Sequence, residues 1–178
     1  INLEVILGQL SGQRYQLFFA YSGPEALQLL SSNSFDLILL DIMMPDMSGY
    51  EVCEEVRKTY SQEKLPIIIV TAKNQVSDLV KGFQAGANDY LTKPFVKEEL
   101  FARINLHLNL KDAVNALIES EKKYRNIYDQ ALEGIFQITP SGHISGNPTM
   151  ANILGYDSPK DLSDSIHRTA KQLFVDPK

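Results

Sequence analysis

"FDLILLDIMMPDMSGY", residues 35–50, decides how this chain is read. Six mostly apolar residues run without alternation into one carboxylate, Asp41, and then into a loop holding Pro45 and Gly49. A strand with one wet face alternates in polarity. An unbroken apolar run needs cover on both faces, which helices on a parallel sheet supply. Such sheets place their chemistry at the carboxyl ends of their strands, and that is where Asp41 stands.

Three other apolar runs repeat the pattern: "YQLFFA" (15–20), "LPIIIV" (65–70) and "DYL" (89–91). Helical spacing fills the intervals. "SGPEALQLLSSN" opens with Ser22 as a cap and Pro24 in the first turn, and lays Ala26, Leu27, Leu29 and Leu30 on one face. "MSGYEVCEEVRKTY" puts Val52, Val56 and Tyr60 on a stripe, and "QVSDLVKGFQAG" does so with Val76, Leu79, Val80 and Phe83 before a stop at Gly86. Strands alternating with helices predict βαβ units on a parallel sheet, an α/β fold.

The bulk properties narrow the function. The chain has 178 residues and a net charge of −5, with no basic stripe, which argues against direct nucleic-acid binding. No apolar run approaches a membrane span, and the first residues do not read as a secretory signal. The one cysteine, Cys53, builds no disulfide framework and reads as a small buried hydrophobe in a reducing, cytoplasmic setting.

Past Pro94 the pattern changes. From Val96 to Tyr128 there is no Gly or Pro, and Leu110, Val114, Leu117, Glu121, Tyr124 and Tyr128 step by 4, 3, 4, 3, 4. That is a heptad seam with a polar break at Glu121, and it predicts a linker helix that pairs in a homodimer. From Ala131 a short strand (Gly134–Ile138) and a Pro-Ser-Gly turn (140–142) predict a hairpin into Ile144, then short helices. The roughly 48 residues left there are fewer than an ordinary domain holds.

Three predicted strand ends carry polar groups: Asp41 after "FDLILL", Thr71 after "PIIIV" and Lys93 after "DYL". A carboxylate, a hydroxyl and an ammonium on one rim suit phosphoryl transfer. The carboxylate accepts the group, and the other two hold its oxygens. Each alone has a bland reading: a strand-end cap, a strand residue, a solvated charge. The set in register does not.

At these residues the chain resembles the receiver domain of two-component response regulators, over about 1–110. "LLDIMMPDMSGYE" resembles the phosphoacceptor loop, "IIIVTA" the fourth strand and "NDYLTKPF" the fifth strand with its loop. The intervals of 30 residues from Asp41 to Thr71 and 22 from Thr71 to Lys93 match as well. The resemblance implies an α/β, flavodoxin-like doubly wound parallel sheet, with Asp41 as phosphoacceptor, Thr71 and Lys93 as phosphoryl-stabilising residues, and Thr71 with Tyr90 as the switch. It implies Mg²⁺ on Asp41 and the backbone carbonyl of Met43, and a cis Lys93–Pro94 bond. The partner would be a histidine kinase or histidine phosphotransfer protein. The chain would be a regulatory module and not an enzyme, slow loss of phosphate aside, with Met43 and Lys73 flanking the site. The alternative is a receiver-like interaction scaffold that is never phosphorylated.

One departure matters. The family's first strand ends in an acidic pair that helps hold Mg²⁺, and "INLEVILGQLSGQ" resembles the helix that follows it. We therefore expect about ten further residues in front of Ile1, ending in acids. Residues 111–130 form the expected linker. Residues 131–178 resemble the N-terminal part of a PAS domain through Asn147, Ala151, Leu154, Gly155 and Tyr156, without the strands that complete a ligand pocket. His143 and His167 read as surface residues. His107, in "RINLHLNLKD", lacks the acidic neighbour and the downstream Arg and Pro of a kinase's phosphorylated histidine.

Overall fold

The computed structural model describes residues 8, 10, 15–72, 75–140 and 143–166, in two compact units, Ile1–Asn115 and Ala116–Lys178. In the first unit, β1 (Ile38–Leu40), β2 (Ile67–Thr71) and β3 (Asp89–Thr92) form a parallel sheet in that order. The register pairs Leu40 with Ile69, Ile69 with Tyr90, and Thr71 with Thr92. Helices α1 (Gly23–Ser32), α2 (Gly49–Arg57), α3 (Val76–Gln84) and α4 (Lys97–Gln130) complete the succession.

Every residue of β2 is buried, so its unbroken apolar run has the two-sided cover that the sequence predicts. One face holds Ile67 and Ile69 with Leu40, Val52, Cys53, Val56 and Tyr90. The other holds Ile68 and Val70 with Leu91 and with Leu100 and Ile104 of α4. Cys53 is fully buried, and burial pushes its thiol up to about 11, so it packs as a hydrophobe.

Two expectations are corrected. "YQLFFA" is not a strand. Residues 15–20 pair with no neighbour among the described residues, although Tyr15 donates to Asn105 Oδ1 (3.1 Å) and Phe18 meets Phe35 edge-on. Between this segment and β1 lies an apolar cleft of about 710 Å³, lined in part by Leu17, Phe19, Leu37, Leu39 and Met43. Alternate residues of a parallel strand bond to opposite sides. Ile38 bonds to Pro66 beside β2 (2.9 Å), so Leu39 turns its backbone towards the cleft. A strand exists only with a partner, and 15–20 has none among the described residues. The second correction concerns α3. Val76, Val80 and Phe83 face solvent, because the helix approaches the sheet through Gly82, where a Cβ would meet Ile69 Cδ1 at 2.9 Å.

Helix α4 has 34 residues, about 50 Å at 1.5 Å per residue. Leu110, Leu117 and Tyr124 of its seam are exposed; Val114 and Tyr128 are half-buried. Among the described residues no helix is long and apolar enough to cross a membrane.

The second unit holds the end of α4, an antiparallel hairpin of β4 (Phe136–Ile138) and β5 (Ile144–Gly146), and helices α5 (Pro148–Ile153) and α6 (Pro159–Ser165). Strand β4 is shorter than expected. Ser141, Gly142 and His167 lie outside the described residues. Ile144, Ala151, Leu162 and Ile166 form the core. Asn147 is fully buried and fully used. Its Oδ1 accepts from the N–H of Ile135 and Met150, and its Nδ2 donates to the carbonyls of Tyr128 and Glu133. His143 is exposed, 2.9 Å from Ser163 Oγ.

One side chain closes the amino end of the first unit's sheet. Arg57 donates to the carbonyls of Gly86 (2.7 Å), Leu65 (2.9 Å) and Tyr60 (3.2 Å) and to Asn88 Oδ1 (2.9 Å). Arg57→Ala strands these acceptors in a partly buried place. The expected loss is about 2–4 kcal/mol, read as a lower urea midpoint with an unchanged slope.

Candidate functional site

The site begins where β1 stops. Asp41 is the first residue past the ladder and is buried, at 6% exposure. The loop after it folds back tightly: Gly49 N–H donates to Ile42 O (3.0 Å), and a Cβ on Gly49 would overlap the carbonyl oxygen of Asp41. Only glycine permits that approach. Asp46 takes the left-handed backbone conformation (φ 65°), which aspartate tolerates. Ser48 then starts α2 with a capping box: its N–H donates to Glu51 Oε2 (2.8 Å), and its Oγ accepts from Glu51 N–H (3.4 Å). The loop thus holds Asp41 from below with backbone bonds.

Asp41 accepts on both oxygens. Oδ1 takes the Met43 N–H (3.0 Å) and Oδ2 takes Lys93 Nζ (2.8 Å), which reaches over from the end of β3. Burial alone would raise the carboxyl's pKa. The Lys93 ammonium and the Met43 N–H pull it the other way, and it stands below the ordinary aspartate value. The group is therefore a carboxylate at neutral pH, held in a pocket that stabilises negative oxygen.

Thr71 ends β2 and is fully buried. Its carbonyl accepts from Lys93 N–H (2.9 Å), which ties the ends of β2 and β3 together beside Asp41. The Lys93–Pro94 bond is cis. Tyr90 points inward at 6% exposure, and burial, with the Tyr50, Asp78 and Asp41 charges, pushes its hydroxyl up to about 12. Tyr50, which the sequence reading did not single out, donates to Asp78 O (3.1 Å) on α3. Lys73 lies outside the described residues.

This rim of carboxylate, ammonium and hydroxyl on a parallel sheet is matched at the level of family. The model of the response regulator receiver domain covers residues 1–105. The chain belongs to that family. The receiver also resembles solved structures. A putative response regulator from Chloroflexus aurantiacus is 39% identical, with a TM-score of 0.57 over 60% of this chain and 88% of its own. A CheY-like receiver domain protein from Methanospirillum hungatei is 28% identical, with a TM-score of 0.58 over 62% and 87%. The receiver domain of a sensor histidine kinase from Pseudomonas aeruginosa is 31% identical, with a TM-score of 0.56 over 61% and 88%, and carries magnesium in its active-site cleft.

The receiver's own donors suit that ion in part. Among the described residues no group of three or more His, Cys, Asp or Glu side chains could hold a metal. Mg²⁺ commonly binds through one or two carboxylates and keeps several waters. The buried Asp41 carboxylate fits that habit.

The receiver also contains a cluster that the sequence reading missed. Asp89, at the start of β3, accepts from Arg103 Nη1 (2.7 Å) and lies 3.2 Å from His107 Nε2, both on α4. His107 is not a surface residue: it is 8% exposed. Its spacing from Leu100 and Ile104, at seven and three residues, was the available signal for the buried face.

The depressed Asp41 carboxyl gives a pH prediction. A lowered folded pKa contributes stability that is complete above the unfolded value, about pH 4, and is lost as pH falls through the folded one. Carboxyl carbon NMR should place Asp41 below ordinary aspartates. In Lys93→Ala its midpoint should move upward, and the share of the acid loss of stability that Asp41 causes should shrink.

Proposed function

We propose that this chain is a phosphoacceptor module: Asp41 takes a phosphoryl group from a histidine kinase or a histidine phosphotransfer protein, and the change passes through α4 to the region beyond. The observation that carries this reading is the buried Asp41 carboxylate held by Lys93 Nζ at 2.8 Å. In the transfer an Asp41 oxygen attacks phosphorus, the bond to the donor histidine nitrogen breaks, and the nitrogen keeps the electron pair. The Lys93 ammonium and the Thr71 hydroxyl stabilise the new oxygens. Mg²⁺, held by Asp41 and the Met43 carbonyl, neutralises charge at the site when bound. Slow loss of phosphate is the only turnover in this proposal.

Three further parts belong to this reading. Thr71 and Tyr90 form the switch. Tyr90 is already inward here, so the phosphorylated state stabilises this packing over one with the ring outside. The cleft between 15–20 and β1 takes a further parallel strand whose acidic end completes the metal site; the unused backbone edge of Leu39 supports this. The second unit is the front of a PAS domain. Its support is the hairpin followed by two short helices, with Asn147 at the joint.

Asp41→Ala should abolish labelling by acetyl phosphate, measured in a chain extended before Ile1 by an apolar strand ending in two acids. The extension should raise labelling of the unsubstituted chain at least about tenfold, one pair of added metal ligands being decisive for a hard cation. Unchanged labelling of Asp41→Ala would remove the phosphoacceptor. Beryllofluoride binding should follow the same pattern; its absence, with the dimer intact, would favour an unphosphorylated scaffold.

The exposed seam of α4 pairs with a second copy in parallel. Glu121 breaks the seam and is engaged within its own helix by Arg125 (2.8 Å), so pairing is weak there. Sedimentation should show Leu117→Lys weakening the dimer at least about tenfold, a buried charge replacing a core leucine. Glu121→Leu should tighten it. A monomer whose mass does not change with concentration would remove the pairing.

A further inference from the structure

We propose that Asp89, Arg103 and His107 form a clamp through which strand β3 sets the position of α4, so that a change at Lys93 is felt along the helix. This rests on the reading of Asp41 and Lys93 above and names the route by which that site acts. Strand β3 has one functional group at each end. Lys93, at the carboxyl end, bonds Asp41 at 2.8 Å. Asp89, at the amino end, bonds α4 through both carboxylate oxygens: Oδ1 to Arg103 at 2.7 Å, Oδ2 to His107 at 3.2 Å. The two ends are four residues apart, about 13 Å of strand. Between them Leu91 packs on Leu100 and Ile104 of α4, while Tyr90 faces the opposite core. Strand β3 pairs with β2 from Asp89 to Thr92, so one ladder joins its two ends.

The chemistry of His107 supports a purpose beyond packing. Its Nδ1 is buried and has no hydrogen-bond partner. An unmade bond on a buried nitrogen destabilises the fold, and a leucine there would avoid it. The ring is worth keeping for what Nε2 does, which is to meet Asp89. Arg103 is held in turn by Glu99 Oε1 (3.0 Å), one turn earlier. Two side chains four residues apart on one helix face thus grip one carboxylate. Directional bonds of this kind fix rotation about the helix axis, which apolar contacts leave loose. Asp89 itself sits lower than an ordinary carboxyl: burial raises it, but the Tyr90 N–H, Arg103 and His107 outweigh burial.

The test is a double-mutant cycle on the full chain, read by hydrogen exchange of peptides spanning Ile104–Val114. Lys93→Ala alone should change exchange there at least roughly threefold, and in the Asp89→Asn background that change should disappear, because sites without a shared route give independent effects. His107→Leu fills the same space without the Nε2 bond. It should abolish the Lys93→Ala effect while circular dichroism stays unchanged, which covers the case in which Asp89→Asn unfolds. A Lys93→Ala effect that persists in full in both backgrounds, or no effect in any, overturns the clamp. Labelling of Asp41 by acetyl phosphate, unaltered in His107→Leu, bears on the phosphoacceptor alone, so the two readings fail separately.

Discussion

A parallel sheet covered on both faces has nowhere to keep a charge except its rim. Strand β2 is buried along its whole length, and its neighbours bury Leu40, Tyr90 and Leu91 beside it. That single constraint places Asp41, Thr71 and Lys93 together, at or just past the carboxyl ends of β1, β2 and β3. A carboxylate at 6% exposure is costly unless it is paired and hydrogen-bonded. The Lys93 ammonium and the Met43 N–H meet that requirement. The same donors that make Asp41 tolerable to the fold prepare it to carry more negative charge.

The loop beneath the site follows from the same need. Asp41 can be approached only if the chain turns back at once, and Gly49 alone permits the contact with its carbonyl. Ser48 and Glu51 then start α2 with reciprocal bonds, so the turn is fixed at both ends. Rigidity here is chemical preorganisation: the donors around Asp41 are set before any phosphoryl group arrives.

The parallel sheet and the placing of Asp41 and Lys93 on one rim were legible because each strand core is short, apolar and flanked by turn residues, and because Asp41, Thr71 and Lys93 follow three such cores at once. "FDLILL" yields only three ladder residues, Ile38–Leu40, since pairing and not composition sets strand length. "YQLFFA" has the composition of a strand and lacks the partner that would make it one. The stripe on α3 misled because Gly82, a residue with no hydrophobic signal, makes the closest approach to the sheet. The clamp on Asp89 was illegible for a different reason. A lone histidine in a helix carries no mark of its partner, and Asp89 lies 18 residues away in sequence.

Helix α4 shows how polar and apolar contacts divide labour. In the first unit Leu100 and Ile104 bury its face while Arg103 and His107 fix its rotation. In the second unit the last turn offers carbonyls that no helical N–H reaches. Asn147 takes that of Tyr128 (3.0 Å), and Thr149 Oγ1 donates to Ala131 O (2.6 Å) just past the end. Directional bonds therefore define the helix within each unit. From Leu110 to Tyr124 it carries instead an exposed stripe interrupted by Glu121, and its side-chain ion pair with Arg125 is exposed at both partners. Exposed pairs hold geometry weakly. One more directional bond anchors the helix at Lys111, whose ammonium lies 2.7 Å from Asp36 Oδ1, so the part best able to change its packing is the exposed stripe past that residue.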